Sequence, residues 1–277
     1  MGNKMVEGLS AISTSSQEIL PDILLMNFTI VNALLVGKPD DEMDKWVLVD
    51  TGLGNSEDFI LQCVEDRFGK GSRPQAIILT HGHFDHVGSV FRRSELWDVP
   101  VYIHQLEMPY VTGKKDYPVA DPTVDEGMVA KLSPTFPHTS IDISYRSVVL
   151  PDDGSVPGMP GWEWIHTPGH TEGHISLFRE KDGVLIAGDA FSTTKQESLL
   201  SVVTHREQIS GPPKYLTTDW KAAENSVRNL RDLKPLLVIP SHGEPMEGEE
   251  VTDHLEMLVN NFDEIAKPDK DHFVTPQ

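Results

Sequence analysis

The stretch Leu79-Thr80-His81-Gly82-His83-Phe84-Asp85-His86-Val87-Gly88 follows Ala76-Ile77-Ile78, a short apolar, β-branched run that predicts a buried strand. Four of its side chains are potential metal ligands: His81, His83, Asp85 and His86. Side chains two positions apart in an extended segment point the same way, so the first two imidazoles can reach one cation. The last two ligands lie a turn further on, where they can reach a second cation. The stretch therefore predicts a metal site at the end of a strand.

The overall charge limits the classes of partner. The chain has 277 residues and a formal net charge of −20, from 23 basic and 43 acidic residues. Nucleic acids and anionic membranes are bound through basic patches, so this balance disfavours both as partners. The length allows one large domain or two small ones with a substantial core.

Cys63 is the only cysteine, which excludes an intrachain disulfide and a zinc cluster built from thiolates. It falls on the apolar stripe of a predicted helix, so we expect a small core residue there. The first residues lack an apolar signal core, and no run in the sequence approaches the length that spans a membrane. We therefore expect a cytoplasmic protein.

Apolar runs and amphipathic patterns alternate along the chain, which is typical of an α/β protein. The predicted strands cover about 24–30, 31–37, 46–50, 76–79, 99–103, 161–165, 175–178, 184–187 and 236–240, and the predicted helices about 56–68, 87–93, 220–233 and 251–265. Irregular stretches at about 105–147 and 191–218 are predicted insertions, typical of lids or binding loops. We expect residues 1–277 to form a single domain of two similar halves, each a sheet with helices outside, packed sheet to sheet.

Three further potential ligands follow predicted strands in the second half. His170 lies within Thr167-Pro168-Gly169-His170-Thr171-Glu172-Gly173-His174, Asp189 follows the strand at 184–187, and His242 follows the strand at 236–240. With the first stretch, the donors are five imidazoles and two carboxylates without a thiolate. This set suits zinc, and also iron, manganese or cobalt.

These motifs, in this order, resemble those of the metallo-β-lactamase superfamily, whose H-x-H-x-D-H motif matches His81 to His86. Val49-Asp50-Thr51-Gly52 is similar to the early strand and turn of that family. The resemblance covers about residues 23–245. It implies a four-layer αββα sandwich with a dinuclear site at one edge.

The resemblance implies a role for each ligand in binding two metals. His81, His83 and His170 would bind the first, Asp85, His86 and His242 would bind the second, and Asp189 would bridge them. Two adjacent cations would make a bridging water a hydroxide near neutral pH, able to attack an electrophilic carbonyl or phosphorus. Asp85 and Asp189 would serve catalysis through the metals that they hold.

The remaining candidates are expected to play lesser parts. Asp50 should hold the metal-binding loops through hydrogen bonds, and His174 should support the site because His170 already fills the motif position. His104 and His166 could support the site or lie in loops. Ordinary surface or helix positions are expected for His138, His205, His254 and His272.

Three branches of the superfamily offer comparisons. The motif around His170 is similar to that of glyoxalase II thioester hydrolases, which hold the carboxylates of glutathione with basic residues of a C-terminal helical segment. Residues 244–277 are dominated by acidic side chains, with only Lys267 and Lys270 basic, which disfavours a glutathione thioester. Several N-acyl homoserine lactonases carry a tyrosine three residues after the bridging aspartate, where this chain has Ser192, and Tyr215 is a distant substitute. Ribonuclease Z-type nucleases are disfavoured by the acidic charge.

The sequence therefore predicts a dinuclear, metal-dependent hydrolase, with zinc as the first choice, acting on a small ester, lactone, thioester or amide. Ser192, Thr193 and Thr194 and the two insertions would shape the pocket for a small-molecule substrate. The alternatives are a di-iron oxidoreductase, a mononuclear iron sulfur dioxygenase, and a metal-binding scaffold without catalysis. The oligomeric state stays open, a homodimer included.

Overall fold

The computed structural model describes residues 14–39, 45–124, 128–193 and 209–269. The chain divides into two compact units. The first comprises Met1–Tyr117 and Pro137–Pro160, and the second comprises Pro118–Phe136 and Gly161–Gln277. The assignment of residues 1–277 to a single domain, with its two insertions, stays a prediction.

The first unit contains a sheet of seven strands that lie side by side in chain order. They are β1 (Ser15–Leu20), β2 (Ile23–Asn27), β3 (Asn32–Val36), β4 (Val47–Val49), β5 (Ala76–Ile78), β6 (Val101–Ile103) and β7 (Ser147–Val149). The pairs from β1 to β4 are antiparallel and those from β4 to β7 are parallel. Parallel neighbours need a crossover, which brings their carboxyl ends to one edge of the sheet.

Helices of this unit connect the parallel strands. They are α1 (Glu57–Phe68), α2 (Val90–Trp97) and the short α3 (Met108–Val111). The core centres on Trp46, whose ring stacks on Phe68 at 4.8 Å and meets Trp97 edge-on at 5.7 Å. Its indole N–H donates to Ser72 Oγ at 2.8 Å, so this large side chain is buried without losing a hydrogen bond.

The second unit contains a five-stranded sheet in the order β12-β11-β10-β9-β8. The strands are β8 (Glu163–His166), β9 (Ile175–Arg179), β10 (Val184–Gly188), β11 (Leu237–Pro240) and β12 (Met246–Glu247). Strands β9, β10 and β11 are buried throughout, and β10 and β11 are accordingly apolar along their whole length. The two polar residues of β9, Ser176 and Arg179, form hydrogen bonds with Ala187 O and Asp182. β10 and β11 are parallel, and the other neighbours are antiparallel.

The helices of the second unit are α4 (Met128–Leu132), α5 (Trp220–Asp232), α6 (Glu249–Asn260) and α7 (Phe262–Ile265). Helix α5 is the crossover between β10 and β11, and the Asp219 side chain caps it by accepting from Ala222 N at 2.9 Å. Four residues of the apolar stripe predicted for α5 are buried: Trp220, Ala223, Val227 and Leu230. The fifth, Leu233, follows the last residue of the helix and is half-buried. None of the helices in the described ranges is both long and apolar enough to cross a membrane.

The structure differs from the predicted elements in a few places. Strands β1, β7 and β12 are additional to the prediction. The closing helix expected over 251–265 is interrupted at Asn261, whose backbone leaves the helical region. The helix expected over 87–93 begins later, at Val90, because Gly88 N donates to Gly52 O at 2.9 Å and so holds the preceding residues in a loop.

The two predicted insertions differ in how much of them is described. The stretch 105–147 contains α3, α4 and a 3-10 turn at Ser133–Thr135, and its part Pro118–Phe136 belongs to the second unit. Of the stretch 191–218, residues 194–208 lie outside the described residues, as do the predictions made for Thr194, His205 and His272.

Candidate metal centre

In the first unit, the parallel pairing of β4 and β5 places Asp50 beside the motif loop. Val49 pairs with Ile78, and Asp50 N donates to Ile78 O at 2.9 Å. The Asp50 backbone has a positive φ of 58°, which aspartate tolerates better than most residues. The buried carboxylate then faces the loop that follows β5.

Asp50 binds the motif loop through three hydrogen bonds. Its Oδ1 accepts from Thr80 N at 2.8 Å, and its Oδ2 accepts from Thr80 Oγ1 and from His86 Nδ1, both at 2.8 Å. The hydrogen bonds expected between Asp50 and the loop of predicted ligands are therefore confirmed. Because His86 Nδ1 donates to Asp50, His86 would coordinate a cation through Nε2.

The same network orients His81. Thr80 Oγ1 donates its one proton to Asp50, so it accepts from His81 Nδ1 at 3.1 Å. His81 would then coordinate through Nε2, which lies 2.9 Å from His83 Nδ1. The structure brings these two imidazoles together, and both are buried.

Asp85 and His86 form a second group in this unit. Asp85 Oδ1 lies 3.9 Å from His86 Nε2, the nitrogen that does not face Asp50. Both side chains are buried. The first unit thus collects its four predicted ligands on one loop, with three imidazoles and one carboxylate.

In the second unit, Asp189 and His242 follow the parallel strands β10 and β11. The strand ends are joined by a hydrogen bond from Ser241 N to Gly188 O at 3.1 Å. Asp189 Oδ2 lies 3.2 Å from His242 Nε2 and 3.1 Å from His170 Nε2. One carboxylate oxygen therefore faces two imidazoles, and all three side chains are buried.

His170 is oriented by a threonine from the segment before α5. Thr217 Oγ1 donates to Pro213 O at 2.8 Å, so it accepts from His170 Nδ1 at 3.2 Å. This bond leaves Nε2 of His170 facing Asp189. Sequence reasoning missed Thr217, since a lone threonine 47 positions away carries no recognisable signal.

His174 supports the site, as predicted. Its Nε2 accepts from the backbone N–H of Asp189 at 2.8 Å, so its proton is on Nδ1, which lies 2.8 Å from Thr167 Oγ1 and 3.1 Å from Thr167 O. Both ring nitrogens are thus engaged with the protein. His174 fixes the backbone from which the Asp189 carboxylate projects.

The other candidates lie in local contacts. His166 is exposed and donates from Nε2 to Glu172 O at 2.9 Å, whereas His104 is buried and its Nδ1 accepts from Leu106 N at 3.3 Å. The Ser192 and Ser210 hydroxyls lie 2.8 Å apart. Their predicted role in a substrate pocket stays a prediction.

Two further residues that sequence reasoning missed contact the motif loop of the first unit. Glu107 and Tyr117 both hydrogen bond to the backbone N–H of Gly82, at 3.1 and 3.0 Å. The glycine between His81 and His83 indicates a close neighbour, but the pattern does not identify residues 25 and 35 positions away.

The donor sets fit divalent transition metals. Each unit presents buried imidazoles beside a buried carboxylate. For His81, His86 and His170, the hydrogen bond of Nδ1 leaves Nε2 as the nitrogen that would bind a cation. Such groups suit zinc, iron or manganese rather than magnesium or calcium, which prefer oxygen ligands alone.

Comparison with known proteins identifies the family. The model of the Metallo-beta-lactamase superfamily matches residues 26–242. The Probable metallo-hydrolase YflN of Bacillus subtilis (strain 168) is 48% identical over 236 residues, which cover 85% of this chain and 89% of that protein. The range matched by the family model contains all seven predicted ligands, from His81 to His242.

Solved structures show the same fold. The BLEG-1 B3 metallo-β-lactamase has a TM-score of 0.56 and 23% identity, over 89% of this chain and 99% of that one. TTHA1623, in a di-iron-bound form, has a TM-score of 0.51 and 26% identity, over 85% of this chain and 94% of that one. With the family match, these likenesses confirm the predicted fold class, an αββα sandwich of mixed α and β content.

Proposed function

Because the chain belongs to the metallo-β-lactamase superfamily, we propose that it is a metal-dependent hydrolase holding two divalent cations, with zinc as the first choice. The observation that carries the proposal is the oriented donor set. His81 and His86 each direct Nδ1 to a hydrogen-bonding partner, as does His170. Each of these imidazoles would thus bind a cation through Nε2.

We assign His81, His83 and His170 to the first cation, and Asp85, His86 and His242 to the second. Asp189 would bridge the two. The pairing of Asp189 Oδ2 with two imidazoles, at 3.1 and 3.2 Å, supports the bridging role, because these histidines are assigned to different cations. A bridging carboxylate must face ligands of both.

The bound cations would supply a water-derived nucleophile near neutral pH and a positive charge beside the oxygen that becomes negative. The protein's own part is to hold the ligands. Asp50 fixes His86 and Thr80, and His174 fixes the backbone of Asp189. Catalysis by a dinuclear site depends on this fixed geometry.

The proposed substrate is a small ester, lactone, thioester or amide, whose carbonyl is the electrophile. The name of YflN, a probable metallo-hydrolase, supports hydrolysis. The net charge of −20 opposes the approach of nucleic acid and other polyanions. We therefore place this chain among the hydrolases of small molecules.

A second candidate is a di-iron oxidoreductase on the same scaffold. The di-iron-bound form of TTHA1623, 26% identical to this chain, favours it, since the donor set also suits iron. Such an enzyme would also need an electron donor. Metal identity therefore separates the two candidates.

The test begins with elemental analysis of protein purified without chelator, followed by a panel of esters, lactones, thioesters and amides. Two zinc ions per chain and turnover on the panel would support the hydrolase, and two irons would favour the oxidoreductase.

His83→Ala and Asp189→Asn should abolish hydrolysis and lower metal content without unfolding the protein. His138→Ala is the control and should change neither quantity. Full activity in either ligand variant would exclude the dinuclear mechanism, and metal without turnover on any substrate would indicate a scaffold.

A further inference from the structure

We propose that Glu107 and Tyr117 are positioning residues that clamp the backbone between His81 and His83 and thereby hold both imidazoles toward the first cation. The inference rests on the proposed function, since it assigns these histidines as metal ligands. It adds two residues, outside every ligand motif, on which metal affinity should depend. All the contacts that carry it lie within the first unit.

The clamp is a hydrogen-bonded triangle. The Gly82 N–H donates to Glu107 Oε2 at 3.1 Å and to Tyr117 Oη at 3.0 Å. The Tyr117 hydroxyl in turn donates to the same carboxylate oxygen of Glu107. Glu107 has no solvent exposure and Tyr117 is 6% exposed, so water does not compete for these bonds. The peptide between the two histidines is therefore fixed by a buried pair.

The clamp also explains why position 82 is glycine. A Cβ at this position would lie 2.6 Å from Tyr117 Oη and 3.1 Å from Val111 Cγ1. Both distances are shorter than ordinary van der Waals contact. The motif loop thus packs its backbone directly against the Tyr117 hydroxyl, with no room for a side chain.

The tyrosine ring contacts the second histidine as well. The ring centroids of Tyr117 and His83 are 4.4 Å apart, at an interplanar angle of 58°. Tyr117 also stacks on Tyr110, at 4.0 Å and 6°. The aromatic contact limits rotation of the His83 imidazole, whose Nδ1 lies 2.9 Å from His81 Nε2.

The clamp residues are themselves anchored. Glu107 N donates to His104 O at 2.9 Å, and Tyr117 N donates to His138 O at 2.9 Å. Burial, together with the neighbouring Glu107 carboxylate, raises the pKa of the Tyr117 hydroxyl well above its ordinary value. The hydroxyl therefore keeps its proton and remains a hydrogen-bond donor.

Residues behind metal ligands typically change metal affinity by about 10- to 100-fold when they are replaced. Tyr117→Phe removes only the hydroxyl and keeps the ring, so we expect a loss of that size for one of the two zinc ions. Zinc affinity is measured by competition with a chelator on metal-stripped protein, with zinc content from elemental analysis. Tyr145→Phe is the matched control, because Tyr145 is 53% exposed in the same unit, and its zinc affinity should equal that of the wild type.

Two variants at Glu107 test the geometry. Glu107→Gln keeps an oxygen that accepts from Gly82 N–H and should retain most of the wild-type affinity. Glu107→Leu removes it and should show the 10- to 100-fold loss. Equal affinity of Glu107→Leu and wild type would overturn the proposal, and so would a loss in Glu107→Gln as large as that in Glu107→Leu. If Glu107→Leu fails to fold, Tyr117→Phe still decides.

Unfolding of the metal-free proteins separates positioning from a purely structural role. A structural role would lower the stability of metal-free Tyr117→Phe and leave the zinc affinity of its folded form unchanged, which would overturn the clamp. If the wild-type protein binds two zinc ions and Tyr117→Phe binds them with the same affinity, the clamp is overturned but the proposed function stands. A wild-type protein that binds no metal would overturn both.

Discussion

The carboxylate of Asp50 lies 2.8 Å from Nδ1 of His86, at the point where the parallel strands β4 and β5 end together. The same carboxylate holds the Thr80 hydroxyl, which accepts from His81. One buried acid that is not a proposed ligand thus orients two imidazoles, each assigned to a different metal. Its effect on metal binding should exceed that of a surface aspartate.

Asp50→Asn should lower zinc affinity by about 10- to 100-fold, because an amide accepts fewer hydrogen bonds than a carboxylate and leaves His86 or Thr80 without its acceptor. Asp98→Asn is a close control: Asp98 has nearly the same backbone φ, 55° against 58°, but its side chain is 71% exposed. Competition with a chelator measures the zinc affinity of both variants. Equal affinities for the two would contradict the orienting role of Asp50.

His174→Leu should lower the free energy of unfolding of the metal-free protein by about 1–3 kcal/mol, because the buried N–H of Asp189 loses its acceptor. His166→Leu makes the same change at an exposed position and should stay within about 0.5 kcal/mol of the wild type. Chemical denaturation gives both values. If the exposed variant lost as much stability as the buried one, His174 would not be a support of the site.

Gly169→Ala should destabilise the second unit more than Gly161→Ala does. Both glycines have positive φ, 137° and 82°, so an alanine is strained at either, at a cost of about 1–2 kcal/mol. At Gly169 a Cβ would also lie 2.3 Å from Ala223 N in helix α5, whereas at Gly161 it would meet nothing within 4 Å. Because Gly169 precedes His170, zinc content should fall only in Gly169→Ala. Similar stability and zinc content in both variants would show that the loop and α5 adjust freely.

Cys63 should react slowly with iodoacetamide in the native protein at neutral pH. The side chain is 5% exposed, as expected for a core residue, and burial raises the pKa of its thiol. A raised pKa lowers the fraction of thiolate, the form that reacts. Mass spectrometry of the labelled protein checks this, with complete labelling expected after denaturation. Rapid labelling of the native protein would contradict the buried position.

The elements that sequence patterns identified are those whose burial is uniform or strictly periodic. Strands β9, β10 and β11 are buried along their whole length, so they are apolar apart from Ser176 and Arg179 of β9. Strand β1 was missed because four of its six residues are exposed at the edge of the sheet. Strand β7 is another edge, and its Val148 and Val149 are 40% and 41% exposed. Edge strands form by backbone hydrogen bonds to one neighbouring strand, so their own sequence need not show an apolar pattern.

The candidate site likewise has residues that local sequence patterns identify and residues that only the fold brings to it. The ligands lie in short motifs whose spacing indicates metal binding, and Asp50 is the last residue of a predicted strand. Thr217, Glu107 and Tyr117 act on those ligands from 25 to 47 positions away. Each contact joins residues that only the tertiary fold brings together, so no local sequence pattern predicts it.

The antiparallel bridge between Ser192 and Ser210 has a consequence for redesign. Ser192 N donates to Ser210 O at 3.1 Å, and Ser210 N donates to Ser192 O at 2.8 Å, so the chain is closed at this point, three residues beyond Asp189. Thr193 N adds a bond to His242 O at 3.1 Å. The entropy cost of a closed loop grows slowly with its length, by about 0.6 kcal/mol for each doubling. The bridge is therefore a junction at which the segment between Ser192 and Ser210 could be exchanged for one of different length while Asp189 and His242 stay in place.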